Sequence, residues 1–236
     1  WNYEIKPAGT WHPVELVAWD SSVMRAQSGS RVRMMDALPA KRLFVTPNGE
    51  TVVDFGQNMA GRIEVTAGGK PGDVIELRCF EVLDHDGNVY VKNLRHAKTT
   101  MKYTFAKEET ITWHPQFTYM GFQYAVILSY PGKPEKENFT AYTLHSEMES
   151  TGNITCSNPL LNQLHHNILW GLKSNFLDVP TDCPQRDERL GWTGDAQIFC
   201  RTACYLMKTH TFYSKWLVDL AADQTEEGGV PHVIPN

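Results

Sequence analysis

The sequence predicts a β-then-α protein, an antiparallel β-sandwich followed by packed helices. Three observations carry that expectation. Short β-rich runs recur from about residue 42 to residue 145, with turn chemistry between them. No helical period interrupts that series, so neighbouring strands are expected to pair antiparallel. After Met148 the apolar spacing lengthens to three or four residues, the period of an amphipathic helix.

Residues 1–35 come first. Trp1, Trp11 and Trp19 are spaced there among Pro and Gly. This stretch reads as a linker or crossing segment that ends in a short strand. Arg42–Val45, Thr51–Phe55, Gly61–Ala67 and Val74–Val82 then read as strands. Pro47-Asn48-Gly49, Gly68-Gly69, Pro71-Gly72-Asp73 and Asp84-His85-Asp86-Gly87 supply the turns. Asn88–Val91, Thr99–Phe105, Ile111–Trp113, Gln123–Leu128 and Phe139–His145 complete a sandwich over residues 36–148. Tyr119, Phe122 and Tyr124 alternate as a strand does, and are assigned to the sandwich core or to interdomain packing.

Residues 149–236 read as helical. Ser157 is the expected N-cap, with Pro159 in the first turn. Leu161, Leu164, Ile168, Leu172 and Phe176 form an apolar stripe, and Val179-Pro180 is expected to end the helix. Further helices are expected from about 194 to 208 and from about 211 to 223. Three helices make a poor core alone, so they are expected to belong to a larger helical domain. The chain lacks an initiator Met and stops soon after a Glu227-Gly228-Gly229 turn, which suggests a piece of a longer protein.

Composition narrows the function classes. With 236 residues, 42% hydrophobic, the chain can bury a sizeable core. Its net charge of −5 and its lack of a basic stripe argue against nucleic acid. No apolar run approaches the roughly 18 residues of a membrane span, and no charged-then-apolar leader is visible. Five cysteines without a CxxC pair read as buried thiols rather than metal ligands or disulfides. His165 and His166 are adjacent on a helix and point apart, so they cannot chelate together. Neither a metal nor a cofactor is expected.

The densest chemistry lies in Asp182–Asp195. These fourteen residues hold four carboxylates, two guanidinium groups and an indole. If the stretch has helical turns, Glu188, Trp192 and Asp195 share a face. Asp187 then points elsewhere, as a helix N-terminal anion or a partner for Arg189. Desolvation by Trp192 and neighbouring anions would raise the Glu188 pKa, as a general acid needs. Asp182, Arg186 and Asp195 suit vicinal hydroxyls, since carboxylates accept and guanidinium donates. A solvated helix–loop junction laced with ion pairs is the bland alternative. Cys183-Pro184 argues against it by fixing the loop entry. So do Gly191 and Gly194, which permit close backbone approach but weaken a helix.

The run Val-Pro-Thr-Asp-Cys-Pro-Gln-Arg-Asp-Glu-Arg-Leu-Gly-Trp-Thr-Gly-Asp-Ala-Gln, residues 179–197, resembles the catalytic motif of bacterial α-L-rhamnosidases of glycoside hydrolase family 78. Asp54-Phe-Gly-Gln-Asn58, Gly61, Glu81-Val-Leu-Asp84, Gly87, Tyr90 and Asn93-Leu-Arg95 resemble the sandwich that precedes the family's barrel. Phe117–Tyr124 resembles the end of that sandwich, with Met120 and Gln123 where the family often has His and Arg. The similarity covers about residues 35–236.

The resemblance implies that the helices begin an (α/α)6 barrel, truncated here. It implies metal-free, inverting hydrolysis of terminal α-L-rhamnosyl bonds in a glycoside or polysaccharide. On this carry-over Glu188 is the general acid, Asp182, Arg186 and Asp195 contact rhamnose, and Trp192 is a pocket aromatic. The general base then lies outside this chain, in the remainder of the parent barrel. Glu226 and Glu227 match no base motif. A bacterial source leaves the compartment open between cytoplasm and periplasm. Two other classes stay open: a non-catalytic carbohydrate-binding or scaffold piece, and a helical-barrel glycosidase of other sugar specificity.

Overall fold

The structure, a computed structural model, describes residues 9–10 and 12–236; Trp1 and Trp11 of the crossing segment lie outside the described residues. The sandwich strands are β1 (Val32–Pro39), β2 (Arg42–Val45), β3 (Thr51–Gly69), β4 (Val74–Phe80), β5 (Val82–Leu83), β6 (Val89–Tyr90), β7 (Thr100–Thr104), β8 (Glu109–Trp113), β9 (Met120–Ser129) and β10 (Phe139–Ser146). The chain then forms α1 (Pro159–Asn175), the two-residue strands β11 (Phe176–Leu177) and β12 (Val179–Pro180), α2 (Thr193–Leu206) and α3 (His210–Ala222). The main sheet is antiparallel, in the order β1-β10-β3-β9-β4-β7, with β2 and β8 also on β3, and β5 and β6 form a separate antiparallel pair.

β3 departs from the sequence expectation. Thr51–Phe55 and Gly61–Ala67 are one 19-residue strand rather than two. Its first half pairs with β2 and its second with β10 and β8, while β9 pairs with residues on both sides of the break. The register against β9 shifts between Asp54 and Met59, so the strand bends without leaving the sheet. Buried Asp54 holds this irregularity. Its carboxylate accepts the Gly56 N–H at 2.7 Å, Arg42 Nε at 3.0 Å and Gln123 Nε2 at 3.2 Å.

The two faces of β3 have different tasks. Val53, Phe55, Met59, Ile63, Val65 and Ala67 share the odd positions and line the main core. Ile75, Leu77, Phe122, Phe139 and Ala141 close that core from β4, β9 and β10. Each fully buried Phe or Ile contributes roughly 1.5–3 kcal/mol. The even positions face other partners. Val52 packs with Phe80, Leu94 and Val126. Ala60 packs with Leu144 and Leu177, joining the sandwich to the hairpin after α1.

α1 lies on β3 and β10. Asn158, not Ser157, caps it: the Asn158 side chain accepts the Leu160 N–H at 2.9 Å, ahead of Pro159. The helix also ends sooner than expected, at Asn175. Phe176-Leu177 and Val179-Pro180 pair across Asp178, whose φ of 69° turns the chain back. The apolar stripe is buried only toward its C-terminal end. Leu172 and Phe176 pack with Ala203, Leu206 and Phe212, and Phe176 stacks on Phe212 at 4.5 Å. Leu161 and Leu164 are exposed, because α2 and α3 meet α1 only beyond Ile168.

Lys173 Nζ donates to Asp36 at 3.1 Å, Ser146 Oγ accepts the Asp178 N–H at 3.0 Å, and Ser174 Oγ accepts the Ala60 N–H at 3.2 Å. These bonds fasten the helices to the sheet. The cysteines correct the sequence reading in part: Cys79 and Cys183 are buried, but Cys156 and Cys204 are exposed. All five are free thiols.

Candidate active site

Residues 181–192 form a loop, and α2 starts only at Thr193. The helical face expected for Glu188, Trp192 and Asp195 therefore does not exist. Hydrogen bonds shape the loop instead. Asp182 N–H donates to Leu190 O at 3.0 Å, and Leu190 N–H returns a bond to Asp182 Oδ1 at 2.8 Å. The two bonds close residues 182–190 into a ring. Thr181 ties its entry to the end of α1 through Asn175 O, at 2.8 Å.

Arg189 sits at φ 58° and turns its guanidinium toward the sandwich. It donates to Tyr119 O at 2.8 Å and lies 4.7 Å above the Tyr119 ring. It also donates to Arg186 O at 3.2 Å. Asp187 is exposed in the loop and not an anion at a helix N-terminus, and Arg189 bonds Tyr119 O and Arg186 O instead.

Four side chains form a continuous chain of charge. Arg186 donates from Nη2 to Asp182 Oδ2 at 3.1 Å and from Nε to Glu188 Oε2 at 2.9 Å. Arg95, from the sandwich, donates to the same Glu188 oxygen at 3.0 Å. The Asp182 side chain is 5% exposed and that of Glu188 20%. Burial works against the charge on Arg186, but the Glu188 bond and the anions around it keep its pKa above the ordinary value. The surroundings expected for Glu188 were an indole and anions. The structure brings Asp182 near, but puts two guanidinium groups in direct contact.

Two cavities meet at Asp182. One, about 640 Å³, lies between α1 and α2 and is lined by apolar Leu172, Phe176 and Phe199 with Asp182 and Asp195. The other, about 420 Å³, opens between the sandwich and α1, with Asn58, Glu81, Trp170, Asp182 and Arg186 on its wall. Asp195 is exposed in the first turn of α2. Trp192 precedes that helix, with its indole N–H buried and without a partner among the described residues. Glu188 and Trp192 lie on the wall of neither cavity.

Asp182, Cys183 and Glu188 bring donor atoms within 4.8 Å of one another, a spacing a cation could use. The donor set does not favour one. Both carboxylates already accept guanidinium bonds, and burial pushes the Cys183 thiol above its ordinary pKa.

Sequence reasoning assigned no site role to Glu81 or Arg95. Glu81 accepts Asn58 Nδ2 at 3.0 Å and Asn93 Nδ2 at 3.1 Å. Burial pushes its carboxyl above the ordinary value, against the bonds from Asn58 and Gln185 and the charge of Arg186. The signal lay in the polar cluster Asn58, Glu81, Asn93 and Arg95, which no sandwich core needs. Only the fold brings it to the acidic loop.

Residues 44–145 match the family described as bacterial alpha-L-rhamnosidase concanavalin-like domain. Residues 149–236 match the bacterial alpha-L-rhamnosidase 6 hairpin glycosidase domain. The chain belongs to the bacterial α-L-rhamnosidases. Its helices are the start of that family's (α/α)6 barrel. An α-L-rhamnosidase of Streptomyces avermitilis is 43% identical over 210 residues, 89% of this chain and 20% of that protein. One from Formosa agariphila is 36% identical over 229 residues, 96% of this chain and 25% of that protein. The chain thus spans between a fifth and a quarter of the length of these relatives. The Streptomyces avermitilis enzyme, solved with L-rhamnose, superposes with a TM-score of 0.86 over 89% of this chain and 20% of that one. The native enzyme of Aspergillus terreus superposes with a TM-score of 0.89 at 40% identity, over 93% of this chain and 26% of that one. Among the described residues, no helix is long and apolar enough to cross a membrane.

Proposed function

We propose that the protein hydrolyses terminal α-L-rhamnosyl bonds with inversion, using Glu188 as general acid. The observation that carries this reading is the bonded chain Asp182–Arg186–Glu188 beside two cavities, in a member of the rhamnosidase family. Glu188 would give its proton to the leaving glycosidic oxygen. Asp182, Arg186 and Asp195 would grip ring hydroxyls, and Trp192 would offer the sugar an aromatic wall. A second carboxylate, roughly 6.5–9.5 Å from the acid, must activate water on the opposite face of the ring. We assign that base to a residue outside this chain. Glu226 and Glu227 are exposed in the turn after α3 and are poor candidates.

The substrate class follows from the family: a rhamnose-terminated glycoside or polysaccharide. The test is Glu188→Gln in the full-length protein. With a poor leaving group, turnover of an aryl α-L-rhamnoside is expected to fall at least about a hundredfold. Near-normal turnover would remove Glu188 from the role. Release from a fucoside or glucuronide in place of the rhamnoside would move the activity to another sugar. Rhamnose binding confined to the sandwich would favour a binding module.

A further inference from the structure

We infer that Arg95, a sandwich residue, is a positioning residue for the proton donor of the helical domain. The inference rests on the reading of Glu188 as general acid. Arg95 lies 93 residues before Glu188 in sequence, yet its guanidinium reaches Glu188 Oε2 at 3.0 Å. Arg186 bonds the same oxygen at 2.9 Å. Oε1 accepts no hydrogen bond among the described residues. Two cations on one oxygen fix both torsion and tilt of the carboxyl group. The other oxygen is left free for a glycosidic oxygen to approach. Arg186 gives Glu188 its Nε donor while its Nη2 holds Asp182 at 3.1 Å, so Arg95 supplies the second bond.

The backbone at Arg95 supports a demand beyond surface charge. Its φ of 54° and ψ of −118° are unfavourable for a residue with a Cβ. The fold does not leave that position loose. Lys92–Leu94 form a 3-10 turn just before it, with Leu94 fully buried against Val52, Phe80 and Val126. Asn93, one residue earlier, bonds Glu81, which shares the second cavity's wall with Arg186. The turn is anchored in the sandwich core and presents Arg95 to the acidic loop from a rigid base. On this account the sandwich holds part of the catalytic geometry as well as carrying the helical domain.

The test compares Arg95→Met, Arg95→Lys and Glu188→Gln in the full-length protein. Steady-state kinetics on aryl α-L-rhamnosides of graded leaving ability supply the readout. Misplacing a proton donor costs most where the leaving group most needs a proton. Arg95→Met is expected to lower kcat about tenfold or more on a poor leaving group and far less on 4-nitrophenol, with KM little changed. Arg95→Lys, which keeps one donor, is expected to recover part of that loss. Unfolding midpoints of all three show whether the fold survives. Suppose Glu188→Gln shows the leaving-group dependence and a folded Arg95→Met shows none, or an equal loss on every substrate. The positioning role is then overturned and the Glu188 reading stands. If Glu188→Gln itself is indifferent to the leaving group, both fall. If Arg95→Met does not fold, Arg95→Lys decides by the same criterion.

Discussion

Gly121 of β9 meets Gln185 of the acidic loop with no room for a side chain between them. A Cβ at position 121 would stand 2.8 Å from Gln185 N, Gln185 Cβ and Pro184 C. Two of these contacts are backbone atoms, so neither side can swing clear. The sandwich thus reaches the acidic loop at its backbone, while Arg95 and Tyr119 reach it through side chain and carbonyl.

Gly121→Val in the full-length protein is expected to separate these surfaces. Overpacking of this kind costs roughly 1–3 kcal/mol, and the displacement falls on the loop that carries Asp182, Arg186 and Glu188. Thermal unfolding is expected to shift down, and kcat/KM on an aryl rhamnoside to fall more than stability alone accounts for. Unchanged kinetics in a folded Gly121→Val protein would show that the loop tolerates displacement.

Glu81 yields a pH prediction of definite sign. Its folded-state pKa lies above the ordinary 4.5, chiefly through burial. Above pH 4.5 the unfolded chain therefore releases this proton more readily than the folded one. Stability contributed by the protonated form is complete below 4.5 and is lost as pH rises through the higher folded value. Glu81→Gln removes that loss but gives up one acceptor, since its amide nitrogen cannot accept the N–H of Asn58 or Asn93. The stability of the variant relative to the parent is therefore expected to be higher at pH 7 than at pH 4. Denaturant unfolding at the two pH values measures it. An equal difference at both would assign the effect to hydrogen bonding, not titration.

Much of this architecture was legible in the sequence, because its signals are local. Period-2 runs and turn residues gave the strands, and the switch to period 3.6 after Met148 gave the helices. The misses share one cause. β3 reads as two strands because Asp54–Met59 breaks the alternation; only the pairing of both halves with β9 shows one bent strand. Leu161 and Leu164 read as core because a stripe does not reveal how far its partners extend. The acidic loop stands out as chemistry, but its residue spacing does not reveal its geometry. Helical turns would put Glu188 and Trp192 on one face, whereas Asp182 and Leu190 bond into a ring. Arg95 had no spacing relation to Glu188 that a motif could encode.

The last prediction concerns the far side of the loop. Trp216 on α3 donates its indole N–H to Ile234 O at 3.0 Å, and Ile234 N–H donates to Gly191 O at 2.9 Å. Thr193 N–H adds a bond to His232 O at 2.9 Å. Residues 231–234 therefore brace the end of the acidic loop and the first turn of α2, where Trp192 and Asp195 sit. Gly191 leaves no slack, since a Cβ there would stand 2.1 Å from Ile234 O. Trp216→Phe keeps an aromatic ring but strands the buried Ile234 carbonyl, a loss of roughly 1–3 kcal/mol. If Trp192 and Asp195 bind the sugar, loosening their brace weakens ground-state binding while Glu188 keeps its two arginines. The KM for an aryl rhamnoside is expected to rise several-fold, with a smaller change in kcat. A fall in kcat at constant KM would instead mean that the brace acts on the proton donor. Gly191→Ala, whose Cβ would press on the same carbonyl beside the Trp216 indole nitrogen, is expected to reproduce whichever pattern Trp216→Phe shows.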